Sequence, residues 1–301
     1  MISLHQVQKK FGTRVAVQDL TLTVPCGEIF GLLGHNGAGK STAIGMMLGQ
    51  VWPTRGEVKV CGYDVTTQRA KALRKVGAIF EAPAFYDYLS GRRNLEILSH
   101  YSAPTPPERI REVMDWVGLT GREQSKVQTY SHGMRARLAL AQALLPQPEL
   151  LILDEPGSGL DPEGTAEMRR TIARLHRELG LTILLSSHLL GEVEQVCTRI
   201  AVLNQGRKVF EGRVADVTAG RGRVMLKTPD FATATALLRG RGIITGSADG
   251  KSIVLSEGRT TAEVAKLLVE ANILVEGIWQ QEQTLENFYL SLVKAPPPDP
   301  H

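Results

Sequence analysis

Gly34, His35, Asn36, Gly37, Ala38, Gly39, Lys40, Ser41 and Thr42 run together between an apolar strand-like stretch (EIFGLLG) and a helical one (AIGMMLG). They match GxxxxGK(S/T) in the strand, loop and helix context that gives this spacing its chemistry. Glycines let the backbone curl so that successive N–H groups point at phosphate oxygens, and the helix amino end adds positive partial charge. Lys40 then supplies a point charge to β- and γ-phosphates, and the Ser41 hydroxyl can ligate Mg²⁺. A solvated lysine in a glycine-rich turn would need neither flanking element. The second chemical element is Leu-Leu-Ile-Leu-Asp-Glu-Pro at 150–156. Two adjacent carboxylates at the end of a buried strand are costly without a cation. Asp154 can hold the Mg²⁺ shell, and Glu155 can polarise an attacking water as general base. Capping of a following helix would account for one of these acids but not the pair.

These groups need a rigid frame. Stretches rich in Val, Ile and Leu (EIFGLLG, VGAIF, LLILD, LTILLSS, RIAVLN) alternate with amphipathic ones. That pattern predicts an α/β domain around a largely parallel sheet, and the phosphate loop on one of its strands makes it a P-loop NTPase core. After Pro162, Met168, Ile172, Leu175 and Leu179 recur at helical steps and Gly180 follows, predicting one helix with an apolar stripe. From about 85 to 150 the strand signal vanishes, and PPERIREVMDWVGL sets Ile110, Val113, Met114 and Val117 on one face of a helical subdomain. Near residue 215 the stretch TAGRGRV suggests a linker. The expected organisation is therefore a nucleotide-binding domain over 1–215, a small α+β domain over 216–294 and a disordered Pro-rich tail over 295–301. The middle part reads strand, helix, strand, strand, helix, strand, as in ferredoxin-like units, with a last helix at TLENFYLSLV.

Composition narrows the class further. The chain has 301 residues, is 43% hydrophobic and carries 35 Lys+Arg against 31 Asp+Glu, enough to bury a core and too balanced for disorder. Its apolar runs are far shorter than the about 18 residues of a membrane span, and MISLHQVQKKFG lacks a secretion-signal pattern. A cytoplasmic location is expected. Cys26, Cys61 and Cys197 form no CxxC pair and are read as buried, reduced thiols. No Lys/Arg block argues for nucleic acid.

Between the two chemical elements stands YSHGMRARLALAQALL, and after them come GSGLDP and LLSSH. In this order the motifs, spread over roughly residues 1–215, resemble the nucleotide-binding subunit of an ATP-binding-cassette (ABC) transporter. The resemblance implies ATP and Mg²⁺ as cofactors and ATP hydrolysis coupled to transport. It implies that Phe11 stacks on adenine, although an aromatic near an amino-terminal strand can equally be core. Ser131 and Gly133 of YSHGM stand where the family closes over the γ-phosphate held by a second subunit, and Asp161 reaches across the same interface. The signature is degenerate, with His132 and Met134 replacing Gly and Gln. His188 matches the histidine that hydrogen-bonds the γ-phosphate and orients water. Glu81 occupies the usual Gln position, which touches Mg²⁺ and relays motion to the membrane subunit. Glu there, followed by PxFY…LS…NL, is similar to the ATPases of bacitracin and lantibiotic export and immunity systems. His35 replaces a common Pro and contributes backbone only.

The expected partners are a separate transmembrane permease and a second ATP-binding subunit in an ATP-dependent homodimer. That places the protein on the inner face of the membrane, peripherally, without direct nucleic-acid contact. Phe85, Tyr86 and Tyr88 are either docking contacts or core. A soluble ABC ATPase acting on ribosomes or nucleic acid is the alternative, but one cassette and no sustained heptads speak against it. A phosphate-loop kinase would lack YSHGM and SSH.

Overall fold

The computed structural model describes residues 1–81, 84–101, 105–218, 223–280 and 284–294. In chain order the elements begin with β1 (Ile2–Phe11), β2 (Arg14–Val24), β3 (Ile29–Leu33), α1 (Lys40–Met47), β4 (Arg55–Val60), β5 (Tyr63–Asp64), α2 (Arg69–Leu73) and β6 (Val76–Ile79). A helical stretch comes next, with α3 (Gly91–Ser99), α4 (Pro107–Trp116), a 3₁₀ turn at Val127–Thr129 and α5 (His132–Leu144). Then come β7 (Leu150–Asp154), α6 (Pro162–Leu179), β8 (Thr182–Ser187), α7 (Leu190–Val196), β9 (Arg199–Asn204), β10 (Arg207–Arg213) and α8 (Val214–Thr218). The remainder is β11 (Arg223–Lys227), α9 (Phe231–Gly240), β12 (Ile244–Ala248), β13 (Ser252–Leu255), α10 (Thr261–Glu270), β14 (Gly277–Gln280) and α11 (Leu285–Lys294).

The frame of the site is the six-stranded sheet in the order β10-β9-β3-β8-β7-β6. All of its pairings are parallel except the terminal β9/β10 hairpin. Every residue of β3 and β8 is buried, as expected for parallel strands covered on both faces. A second, antiparallel sheet runs β2-β1-β4-β5 and shares one apolar core with α1 and the parallel sheet, in which Phe30, Leu32, Ile44, Met46 and Met47 are all but fully enclosed. The sequence reading missed this second sheet. Register shifts interrupt the β1/β2 pairing, and Gln6 and Asp19 take positive φ (47° and 51°), so the period-two alternation breaks.

The stripe on α6 buries Met168, Ile172 and Leu175, while Leu179 in its last turn is exposed. Pro at the first turn, the Asp161 cap and left-handed Gly180 bound this helix. Ile110, Val113, Met114 and Val117 are buried together, and no strand lies between Ile79 and Leu150 among the described residues. Only Cys197 is buried; Cys61 is partly covered and Cys26 exposed, which corrects the expectation of three buried thiols.

Backbone contacts divide the chain into Met1–Val214 with the described residues from Tyr289, and a unit from Ala215 to Phe288. The expected carboxy-terminal unit took in the whole last helix, whereas the part of that helix from Tyr289 onward groups with the first unit. The second unit has its own core of Val224, Leu226, Leu238, Ile253, Val264 and Leu268 under an antiparallel sheet ordered β12-β13-β11-β14. The tail at 295–301 and the middle of the linker, 219–222, lie outside the described residues. No described helix is long and apolar enough to cross a membrane.

Candidate functional site

The phosphate loop leaves β3 at Gly34 and enters α1 at Lys40. Gly39, the residue before α1, has φ 104°, and a Cβ there would meet the Ala16 carbonyl at 2.7 Å, so both conformation and space demand glycine. Asn36, Gly37, Gly39, Lys40, Ser41 and Thr42 line a hollow of about 340 Å³, joined by Glu155 and by Arg14 and Ala16 of β2. Lys40 is only 5% exposed. Its ammonium donates to the Gly34 carbonyl at 2.7 Å and lies 3.4 Å from a Glu155 oxygen. A buried ammonium is tolerated only with such partners.

β7 delivers the two acids. Its register beside β8 sets Asp154 opposite Ser186. The buried Ser186 hydroxyl donates to Asp154 Oδ1 and accepts the Glu155 N–H at 2.9 Å, fixing the Asp154 carboxylate and the Glu155 main chain from one oxygen. Ser186 was not singled out in the sequence; the signal was there in LLSSH, but the strand pairing that gives it meaning is not local. Glu155 has φ 48° and Glu81 φ 63°. Left-handed backbone at a non-glycine residue costs on the order of 1–3 kcal/mol and concentrates at functional sites. His188, just beyond β8, holds Glu155 Oε2 through Nδ1 at 2.9 Å. Lys40, Glu155 and His188 thus form a continuous chain of contacts.

Ser41, Asp154, Glu155 and Glu81 line a second hollow of about 520 Å³ with His132 and Arg135 of α5. Hydroxyl and carboxylate oxygens suit a hard cation such as Mg²⁺, which is held by one or two carboxylates together with phosphate oxygens and water. No cluster of three His, Cys, Asp or Glu among the described residues forms a metal cage by itself.

Other expected residues stand apart from these hollows. Phe11 is half exposed at the end of β1, pairs with Arg14 and carries the Lys9 ammonium 4.7 Å above its ring, so it is not core. Ser131 caps α5 by accepting the Met134 N–H at 3.2 Å, and Asp161 caps α6 by accepting the Gly164 N–H at 3.0 Å. Gly133 sits inside α5, where a Cβ would reach Gly164 Cα only at an ordinary 3.8 Å. Tyr130 is an anchor: its hydroxyl donates to the Arg122 carbonyl at 2.7 Å, and burial pushes its pKa up. Tyr86 and Tyr88 are exposed and meet edge to face, which removes the core reading for both. Glu192, on α7 beside Gly157, has its pKa raised by burial, against the opposing charges of Arg169 and His188.

Residues 17–158 match the family model described as ABC transporter. The chain is 38% identical over 292 residues to the uncharacterized ABC transporter ATP-binding protein YhcH of Bacillus subtilis, covering 97% of this chain and 95% of the relative. The chain belongs to the ABC transporter family, as one of its ATP-binding subunits. Such a subunit is an ATPase, and ATP is its ligand. A second relative of this ABC subunit, 37% identical over 298 residues and 97% of both chains, is the bacitracin transport ATP-binding protein BcrA of Bacillus licheniformis. A solved ATP-binding subunit of an ABC transporter is similar with TM-score 0.64 and 28% identity, over 73% of this chain and 92% of that one.

Proposed function

We propose that this ABC subunit binds Mg²⁺ and ATP at the phosphate loop, hydrolyses ATP in a dimer, and drives a separate permease exporting antibiotic- or peptide-like compounds. The observation that carries the reading is the Lys40, Glu155 and His188 chain, which joins a phosphate-binding cation, a carboxylate base and an orienting imidazole at one end of the parallel sheet. The N–H groups of Gly34 to Thr42 and the Lys40 ammonium hold the phosphates. Ser41, Asp154 and Glu81, which line one hollow, would hold Mg²⁺. When bound, that ion neutralises charge between the β- and γ-phosphates. Glu155 takes a proton from the attacking water, and His188 keeps the carboxylate and the γ-phosphate in register. Phe11 offers an exposed ring for adenine.

The second half of each site comes from another copy of the chain. Ser131 and Gly133 present a capped helix amino end to the γ-phosphate, and Asp161 reaches over the same seam. A glycine inside a helix costs about 0.5–1 kcal/mol against alanine, and packing within the chain leaves room for a methyl at Gly133. Close approach from outside supplies the missing reason for it. The permease docks beside Glu81, where Tyr86 and Tyr88 are exposed, and holds the subunit at the cytoplasmic face of the membrane. Nucleic acid is not a partner. The export class is supported by the similarity to BcrA.

Glu155→Gln tests the reading. Loss of a general base lowers turnover by about 100- to 10,000-fold, and the variant in excess ATP should run as a dimer by light scattering. A monomer under those conditions would count against the shared site.

A further inference from the structure

His35 is an exposed residue of the phosphate loop, yet its side chain folds back onto two polar groups. Nδ1 lies 2.7 Å from the Asn36 carbonyl, and because a carbonyl only accepts, Nδ1 carries a proton. Nε2 lies 3.2 Å from the Asn204 side-chain oxygen, 169 residues away at the end of β9. The Asn204 amide can turn either its oxygen or its NH₂ to Nε2, so the pair persists whether the imidazole is neutral or charged.

The anchor is stiff. Gln205 and Gly206, with φ 48° and 78°, form the two-residue turn between β9 and β10, the geometry that suits a hairpin's twist. Gly206 donates to the Ala38 carbonyl of the phosphate loop at 3.0 Å and accepts the Gln18 N–H of β2 at 2.7 Å. A third group meets the same residue. Tyr289, which belongs to the first unit, lines a hollow of about 310 Å³ with Gly34, His35, Asn36, His188 and Leu190. Burial raises its phenol pKa, and the main-chain N–H of His35 acts in opposition.

Phosphate capture requires the loop's N–H groups and Lys40, not an imidazole. We infer that His35 is a positioning residue for ATP turnover: its side chain clips the phosphate loop to Asn204 on the β9–β10 turn, and its main chain meets Tyr289. The inference rests on the phosphate loop being the ATP site.

In the full chain, His35→Ala and Asn204→Ala should each raise KM and Kd for ATP by about three- to tenfold, the range a net hydrogen bond supports, with kcat within about twofold. The double variant should be no worse than the weaker-binding single one, because each substitution alone already opens the clip. Tyr289→Phe, which keeps the ring and loses the oxygen, should shift KM in the same direction by less. Additive effects of the two alanines on KM, a fall in kcat with KM unchanged, or a change in Tm alone would overturn the clip. Lys40→Ala serves as the control. If it still bound ATP, the ATP-site reading itself would fail, whereas loss of binding there with normal KM in the His35 and Asn204 variants would sink the clip alone.

Discussion

The two halves of the site are built in opposite ways. Around the phosphate loop the charged side chains are held within the chain, Lys40 by Gly34 and Glu155 and Asp154 by Ser186, and the Ala16 carbonyl leaves no room for a Cβ at Gly39. On the YSHGM and GLDP side, Ser131 and Asp161 cap helices, and among the described residues nothing crowds Gly133. A braced half pre-pays the ordering needed to hold phosphate. The other half leaves its capped helix ends open, as the proposed dimer requires, and on that reading dimer formation and ATP binding belong to one equilibrium.

The contrast can be broken experimentally. Glu155→Gln should have the largest effect on turnover. Lys40→Ala strikes the braced half: ATP affinity by calorimetry should fall at least about thirtyfold, since truncating one member of a buried charged pair costs roughly 2–5 kcal/mol. Gly133→Ala strikes the outward half with opposite signs in two measurements. Thermal unfolding of the monomer should show a small gain, below the about 0.5–1 kcal/mol of a mid-helix glycine because Gly133 is the second residue of α5. Turnover should fall about tenfold or more, because a methyl forced into a close contact costs about 1–3 kcal/mol. Equal turnover for alanine would leave Gly133 without a role at the seam.

A smaller effect sharpens the boundary between the halves, where Glu192 of α7 meets Gly157 in the segment leading from β7 to Asp161. Its folded pKa stands above the ordinary 4.5, so the folded state holds that proton more tightly than the unfolded one. Stability is then lost as pH rises from about 4.5 through the raised value. Glu192→Gln should lift the melting temperature at pH 8 by a degree or two relative to its effect at pH 4; a uniform shift at both pH values would dismiss the burial cost.

How much the sequence disclosed depends on the range of the interactions. Gly34 to Thr42 and Asp154–Glu155 are contiguous, and their chemistry is written in nearest neighbours. Buried stripes such as Ile110, Val113, Met114 and Val117 were visible because one helix repeats them. Ser186 and Asn204 were not. Each acquires its role from pairing across more than thirty residues, Ser186 with Asp154 and Asn204 with His35. The same distance hid the antiparallel sheet, where bulges in β1 and β2 erased the alternation that would have betrayed it. The His35 side chain was read as idle because the common Pro at that place has nothing comparable to offer.

The pairing of Asp154 with Ser186 carries one more consequence. Side chains alternate faces along a strand, so a one-residue slip of β8 against β7 would turn the Ser186 hydroxyl to the opposite side of the sheet. Where the slip sets Leu185 opposite Asp154, that acid would lose its hydroxyl partner while the strands stayed paired, whereas the opposite slip would offer Ser187 in its place. With Asp154 as the proposed Mg²⁺ ligand, core substitutions that shift this alignment and leave the protein folded should show first as a changed affinity for Mg²⁺.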